Sequence, residues 1–278
     1  MTPAGRFAPQ LFFLDPDSKP LFASAALPAA GAARHGVLVC PAFAEEMNRT
    51  RRTVRLLMEQ AAQAGLAVIN VDLAGTGDSA GEFADARWED WLANLEQGRD
   101  WLRRQGCTRV SLLGVRAGAL LAWQLALAAR EPVHRLLLWQ PVPTGQAVLT
   151  DLLRTRLLAP AADGKREGVA ALRAQLQDGS AVEAAGYTLS PQLAAALDAA
   201  RIGAPPADRR LRIAWLEIVA DAEADVRPVA VQSVARLVEA GLQAEILRAQ
   251  DPPFWATTET TTGHASVAAS LRWLDEPA

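Results

Sequence analysis

Two glycines bracket an arginine in Gly114-Val115-Arg116-Ala117-Gly118. The run follows an apolar stretch, Arg109-Val-Ser-Leu-Leu113, and opens an Ala/Leu-rich one, Ala119 to Ala129. A Gly-x-nucleophile-x-Gly turn between a strand and a helix is one way to expose a serine for attack on an acyl carbonyl. Here the central position holds Arg116. A guanidinium stays protonated at neutral pH and cannot act as a nucleophile. It can bind a carboxylate or phosphate bidentately, stabilise an oxyanion, or be held by an internal carboxylate. The sequence leaves all three open.

Other runs carry groups of chemical interest. Pro41-Ala-Phe43-Ala-Glu45-Glu46-Met-Asn48-Arg-Thr-Arg51-Arg52 offers two acids, an amide and several arginines. It reads either as a helix start with Asn48 as N-cap or as a pocket border whose Glu45 or Glu46 pairs with Arg116. Asp72-Leu-Ala-Gly75-Thr-Gly77-Asp78-Ser79 reads as turn chemistry rather than as a second nucleophile, because no partner histidine is evident. The chain has three histidines. His35 and His134 precede strands, and His264 stands near the start of the last helix. No His/Cys/Asp cluster has metal-ligand spacing, so no metal and no cofactor are expected.

These residues are positioned by alternating strands and helices. Gln10–Leu14 and Leu21–Ser24 around a Pro/Asp turn predict a hairpin. Strands are expected at 36–40, 66–71, 109–113, 134–139, 212–219 and 244–247. Helices are expected at about 50–64, 86–105, 119–129, 149–158, 165–176, 191–200, 227–240 and 258–274. The stretch from 143 to about 208 shows helices and loops with no clear strand. Such alternation predicts a mostly parallel sheet with helices on both faces. Active sites in such sheets lie at the carboxyl ends of the strands.

The leading hairpin, the elbow after a central strand and the helical insertion resemble the α/β-hydrolase fold. On that resemblance residues 1–142 and 209–278 form the core and 143–208 a helical cap. The loop 41–52 then replaces one that usually begins His-Gly and lends a backbone N–H to an oxyanion hole. The acid of a hydrolase triad would fall in Ala220–Pro228, where Asp225 fits best and Asp221 second. The usual histidine position falls at Pro252 or Pro253, which leaves His264 as the remaining histidine for that role. Two of the three triad positions are thus replaced, and a Ser-His relay cannot run.

The Pro-x-Phe-x-Glu-Glu-Met-Asn-x-x-Arg-Arg run, the Gly-Val-Arg-Ala-Gly elbow, Ala185-Gly-Tyr-Thr-Leu-Ser190 and Pro253-Phe-Trp255 with Glu259 are similar to a narrower group. It is the hydrolase 2 family of the exosortase A system, a bacterial protein-sorting and exopolysaccharide gene set. The resemblance implies an α/β-hydrolase fold and a cytoplasmic setting, and supplies no substrate.

Composition narrows the classes further. The 278 residues carry a formal charge of -3, which gives no reason to expect nucleic acid. Two isolated cysteines, Cys40 and Cys107, read as reduced and buried. No signal peptide is apparent at Met1–Ala8, and Arg116 argues against a membrane span at 112–129. The expected protein handles a small molecule, either as an ester or thioester hydrolase with a non-standard site or as an inactive relative binding an anionic acyl or lipid-linked ligand. Arg116, Glu45, Glu46 and Asp225 are the expected catalytic groups, with Phe43, Asn48, Trp255 and Glu259 at the ligand. The sequence says nothing of oligomeric state.

Overall fold

The computed structural model describes residues 8–15, 18–29, 33–158, 168–205, 210–257 and 259–276. Its centre is an eight-stranded sheet. In chain order the strands are β1 (Gln10–Leu14), β2 (Leu21–Ala26), β3 (His35–Cys40), β4 (Ala67–Val71), β5 (Arg109–Val115) and β6 (Leu136–Trp139). A small hairpin follows, β7 (Val182–Ala184) and β8 (Tyr187–Leu189), before β9 (Arg212–Val219) and β10 (Gln243–Gln250) return to the sheet. The spatial order is β1-β2-β4-β3-β5-β6-β9-β10. The first two strands pair antiparallel, as does β2 with β4, and every later neighbour is parallel.

The parallel strands are apolar on both faces because helices cover both. Alternate residues sort to opposite sides. Val37, Val39, Val68, Leu113 and Leu216 pack with Leu57 and Met58 of α1 (Ala44–Gln63) and with Val267 and Trp273 of α8 (His264–Asp275). Leu38, Ile69, Leu112, Leu138 and Trp215 pack with α2 (Trp88–Arg104), α3 (Gly118–Ala128) and, through Val234 and Leu237, α7 (Pro228–Glu239). Cys40 and Cys107 are free and buried. Burial pushes the Cys107 thiol up to about 11, and the Cys40 thiol higher still.

Between β6 and β9 the chain leaves the sheet to form α4 (Gly145–Leu158), α5 (Val169–Gln177), the β7–β8 hairpin and α6 (Pro191–Ala199). The hairpin corrects the expectation of a strand-free insertion. Residues 165–167, expected to open a helix, lie outside the described residues. The first α-helix also corrects the sequence reading. It starts at Ala44, so Asn48 lies inside it and the N-cap is Phe43, which makes no side-chain cap bond. β10 runs longer than expected, from Gln243 to Gln250, and α8 starts only at His264. Among the described residues no helix is long and apolar enough to cross a membrane.

Candidate active site

Arg116 follows β5 with φ 53°, a left-handed conformation that a non-glycine residue adopts at a strain of about 1–3 kcal/mol. Its neighbours must be small. A Cβ on Gly118 would overlap the carbonyl oxygens of Cys40 and Pro41, and one on Gly114 would come within 2.5 Å of Ala119 Cα. Close backbone approach at Gly114 and Gly118 therefore keeps the turn sharp around Arg116.

The Arg116 side chain is held on three sides. Its Nε and Nη2 donate to Glu46 Oε1 at 3.1 and 3.0 Å, and Nη1 donates to the Gln140 carbonyl at 2.9 Å. The guanidinium carbon lies 5.0 Å from the centre of the Trp255 ring, in cation–π range. Gln140 was not a sequence candidate. It follows β6 with φ 40°, and its side-chain oxygen accepts from Ile218 N at 2.6 Å. That bond ties the arginine's carbonyl partner to β9.

The pair is neither open nor sealed. Side-chain exposure is 15% for Arg116 and 32% for Glu46. Both line a cleft of about 440 Å³, together with Phe43, Glu45, Arg49 and Ala117. Val142, Val148, Asp151, Leu152, Ala185 and Trp255 also line it. Phe43, Arg116, Val142 and Trp255 follow the carboxyl ends of β3, β5, β6 and β10, so the cleft occupies the end of the sheet where active sites form. A guanidinium has more N–H groups than these three bonds use, so among the described residues one hydrogen on Nη1 and one on Nη2 have no acceptor. Glu46 Oε2 accepts nothing among the described residues.

The remaining sequence candidates divide. Phe43 is buried against Trp88 and Trp91 and forms cleft wall. Glu45 is exposed on the cleft. Asn48 is exposed one turn along α1 and lies outside the cleft lining. Asp221 and Asp225 are exposed in the loop after β9, away from the lining, and Asp221 Oδ1 accepts only from Glu223 N. Glu259 is exposed and outside the lining. His264 is the exposed first residue of α8, and no hydrogen bond or ion pair joins it to Asp221 or Asp225. The structure thus brings Arg116, Glu45, Glu46, Phe43 and Trp255 together and leaves Asp225, Asp221, Asn48, Glu259 and His264 apart from them.

Polar groups near the other strand ends are structural. Ser79 Oγ donates to the Asp72 carbonyl at 2.6 Å and accepts from Phe22 N at 2.8 Å, which makes it a strut. Asp72 is buried and accepts from Arg51 Nη2 at 2.7 Å and from Asp78 N at 3.1 Å. Asp251 stands just after β10, beside the expected histidine position. It accepts from Ala265 N, Ser266 N and Ser266 Oγ at 3.1, 2.6 and 2.7 Å, so it caps α8. Among the described residues no group of three or more His, Cys, Asp or Glu could hold a metal ion.

Solved structures with this architecture are α/β hydrolases. The esterase Est1E from Butyrivibrio proteoclasticus, solved with ferulic acid, superposes with a TM-score of 0.62 at 15% identity, over 95% of this chain and 96% of that one. A soluble variant of monoglyceride lipase from Saccharomyces cerevisiae, with a substrate analogue, gives 0.59 at 13% identity over 98% and 95%. An α/β serine hydrolase without a lid from Xanthomonas campestris gives 0.52 at 18% identity over 98% of each chain. The chain therefore has the α/β-hydrolase fold. No family model and no curated relative matches the sequence.

Proposed function

We propose that the cleft takes a neutral acyl compound, an ester or thioester, and hydrolyses it with water rather than through a serine. The observation that carries this is the Arg116–Glu46 pair at the elbow, which keeps unused N–H donors and an unused carboxylate oxygen on one cleft. Val142, Val148 and Leu152 suit an apolar chain. Three acids, Glu45, Glu46 and Asp151, face two arginines there, and Glu46 neutralises Arg116. That balance favours a neutral ester or thioester over the anionic ligand of the alternative sequence reading. The free Arg116 N–H groups would hold the carbonyl oxygen and stabilise its developing charge. Glu46 would take a proton from water as the hydroxide adds to the carbonyl carbon, then return it to the departing alkoxide or thiolate.

A second reading is a binding protein without turnover. It is supported by the lining itself, which among the described residues contains no histidine, serine or cysteine. In both readings residues 143–208 serve as a cap on the core, and the motif resemblance supports a cytoplasmic protein associated with an exosortase system. The test is turnover of an ester, thioester and acyl-CoA panel by wild type, Arg116→Ala and Glu46→Gln. Turnover lost in both variants supports the hydrolase reading. No turnover in wild type, with saturable binding of a non-hydrolysable acyl ketone, supports the second. Turnover that survives both substitutions rejects the site.

A further inference from the structure

Gln140 directly follows β6 and is buried. Its main-chain N–H donates to the Leu216 carbonyl at 2.8 Å, which continues the parallel pairing of Trp139 with Leu216. In a parallel ladder, a residue that donates to one carbonyl of the partner strand accepts from the N–H two residues further along it. Regular pairing would therefore set the Gln140 carbonyl on Ile218 N. The structure departs from this. Ile218 N donates at 2.6 Å to Oε1 of the Gln140 side chain instead. Ile218 is buried, so its N–H needs an acceptor, and the side chain supplies one. The main-chain carbonyl is thereby released from the sheet. With φ at 40°, Gln140 turns that carbonyl to Arg116 Nη1, 2.9 Å away. The same turn leads through Pro141 to Val142, which lines the cleft.

We propose that Gln140 is the positioning residue of the elbow: its side chain takes over the ladder bond of its own carbonyl, and the carbonyl so released fixes the Arg116 guanidinium. This rests on the reading of Arg116 as the group that holds the acyl carbonyl. Glu46 binds Nε and Nη2, but it is a partly exposed side chain on the cleft and can move with its ligand. The Gln140 carbonyl is main chain tied to β9 on both sides of the turn, and it gives the guanidinium a fixed reference. A donor held in place beforehand needs no rearrangement as charge develops on the substrate oxygen. The left-handed backbone at a glutamine is strained, and it persists because these bonds over-determine it.

Coupling across hydrogen bonds, read by NMR on deuterated, isotope-labelled protein, tests the exchange itself. The Ile218 amide nitrogen should couple to the side-chain carbonyl carbon of Gln140. Coupling to its main-chain carbonyl carbon overturns the proposal. Gln140→Met keeps the length of the side chain and removes its strong acceptor. In that variant the Ile218 coupling should pass to the main-chain carbonyl of residue 140. Arg116 should lose its Nη1 partner, and rotation about its Nε–Cζ bond should speed roughly tenfold. With p-nitrophenyl butyrate, kcat per folded protein should fall roughly tenfold with KM in place. Unchanged guanidinium rotation overturns the proposal, as does unchanged kcat. Should Gln140→Met not fold, Gln140→Gly removes the same acceptor at a position whose φ suits glycine, and the same outcomes apply. Failure of the hydrolase reading appears separately, as absent wild-type turnover with the coupling and rotation results intact.

Discussion

The guanidinium of Arg116 lies over the Trp255 ring at 5.0 Å, so the residue at the elbow is joined to the segment where a hydrolase histidine is usual. Glu46 closes the third side. The charge is retained by a ring face, a carboxylate and a carbonyl, and each can be removed singly.

For a pair with 15% and 32% side-chain exposure, solvent screening limits the coupling to about 1 kcal/mol. Glu46→Gln should therefore destabilise only mildly, because Gln140 O and Trp255 still hold Arg116. Arg116→Ala should cost more, since it leaves the carboxylate beside apolar wall. A double-mutant cycle by urea unfolding would measure the coupling. Coupling indistinguishable from zero would mean that the ion pair does not hold the elbow.

A serine placed at the elbow should not by itself become a nucleophile. In Arg116→Ser the new hydroxyl would have no histidine to activate it, because His264 is exposed on α8 and is not among the residues lining the cleft. Labelling by a fluorophosphonate should remain at background. Stoichiometric labelling would show that an activating group reaches the elbow after all.

Backbone crowding at the elbow sets a sharp contrast between two glycines. Gly118→Ala drives a Cβ into the carbonyls of Cys40 and Pro41, backbone that cannot step aside, and should cost more than about 3 kcal/mol or prevent folding. Gly203→Ala meets nothing within 4 Å and should stay within about 0.5 kcal/mol of wild type. Thermal unfolding of both decides it, and equal shifts would contradict the elbow packing.

Much of this was legible in the residues, for reasons that differ by element. Val37 to Cys40 and Leu136 to Trp139 announce buried strands because both faces are apolar. Gly114 and Gly118 announce the elbow because close backbone approach excludes a Cβ. The β7–β8 hairpin went unseen because Val182–Ala184 and Tyr187–Leu189 are too short for a period to register. The start of α1 was hidden because Phe43 is no capping residue and Ala44 enters the helix at φ 52°. Gln140 acts on Arg116 through its main chain, which residue type cannot reveal. Asp225 and His264 were placed by analogy with a fold, and that analogy does not carry loop geometry.

Away from the site, Glu217 is fully buried on β9 and bound by Arg227 Nε and Nη2 at 2.8 and 2.6 Å and by Trp215 Nε1 at 2.8 Å. Arg227→Met would leave that carboxylate buried with the indole as its remaining partner, an expected loss of about 3–5 kcal/mol. Glu217→Gln keeps the indole bond and should cost less. Chemical denaturation orders the two, and the reverse order would contradict the pairing.

Acid should weaken the fold through His35. Burial, then the charges of His134, Arg109 and Arg135, lowers its pKa from 6.5 to about 3, and its Nε2 lies 2.8 Å from Ser111 Oγ. Between those values the unfolded chain binds a proton that the native state refuses. This contribution is whole above about pH 6.5 and declines as pH falls toward 3. It should amount to about 3 kcal/mol lost between pH 6.5 and 4. His35→Gln should flatten the slope over that window, and an unchanged slope would assign acid sensitivity elsewhere.

The central claim is that Arg116 and Glu46 act on an acyl compound with water, without a covalent intermediate. Intact-protein mass spectrometry during p-nitrophenyl butyrate turnover tests it most directly. The account predicts nitrophenol release with no burst, no butyryl mass on the protein, and loss of release in Glu46→Gln. A butyryl adduct that forms and clears at the turnover rate would contradict it, and its site would name the nucleophile.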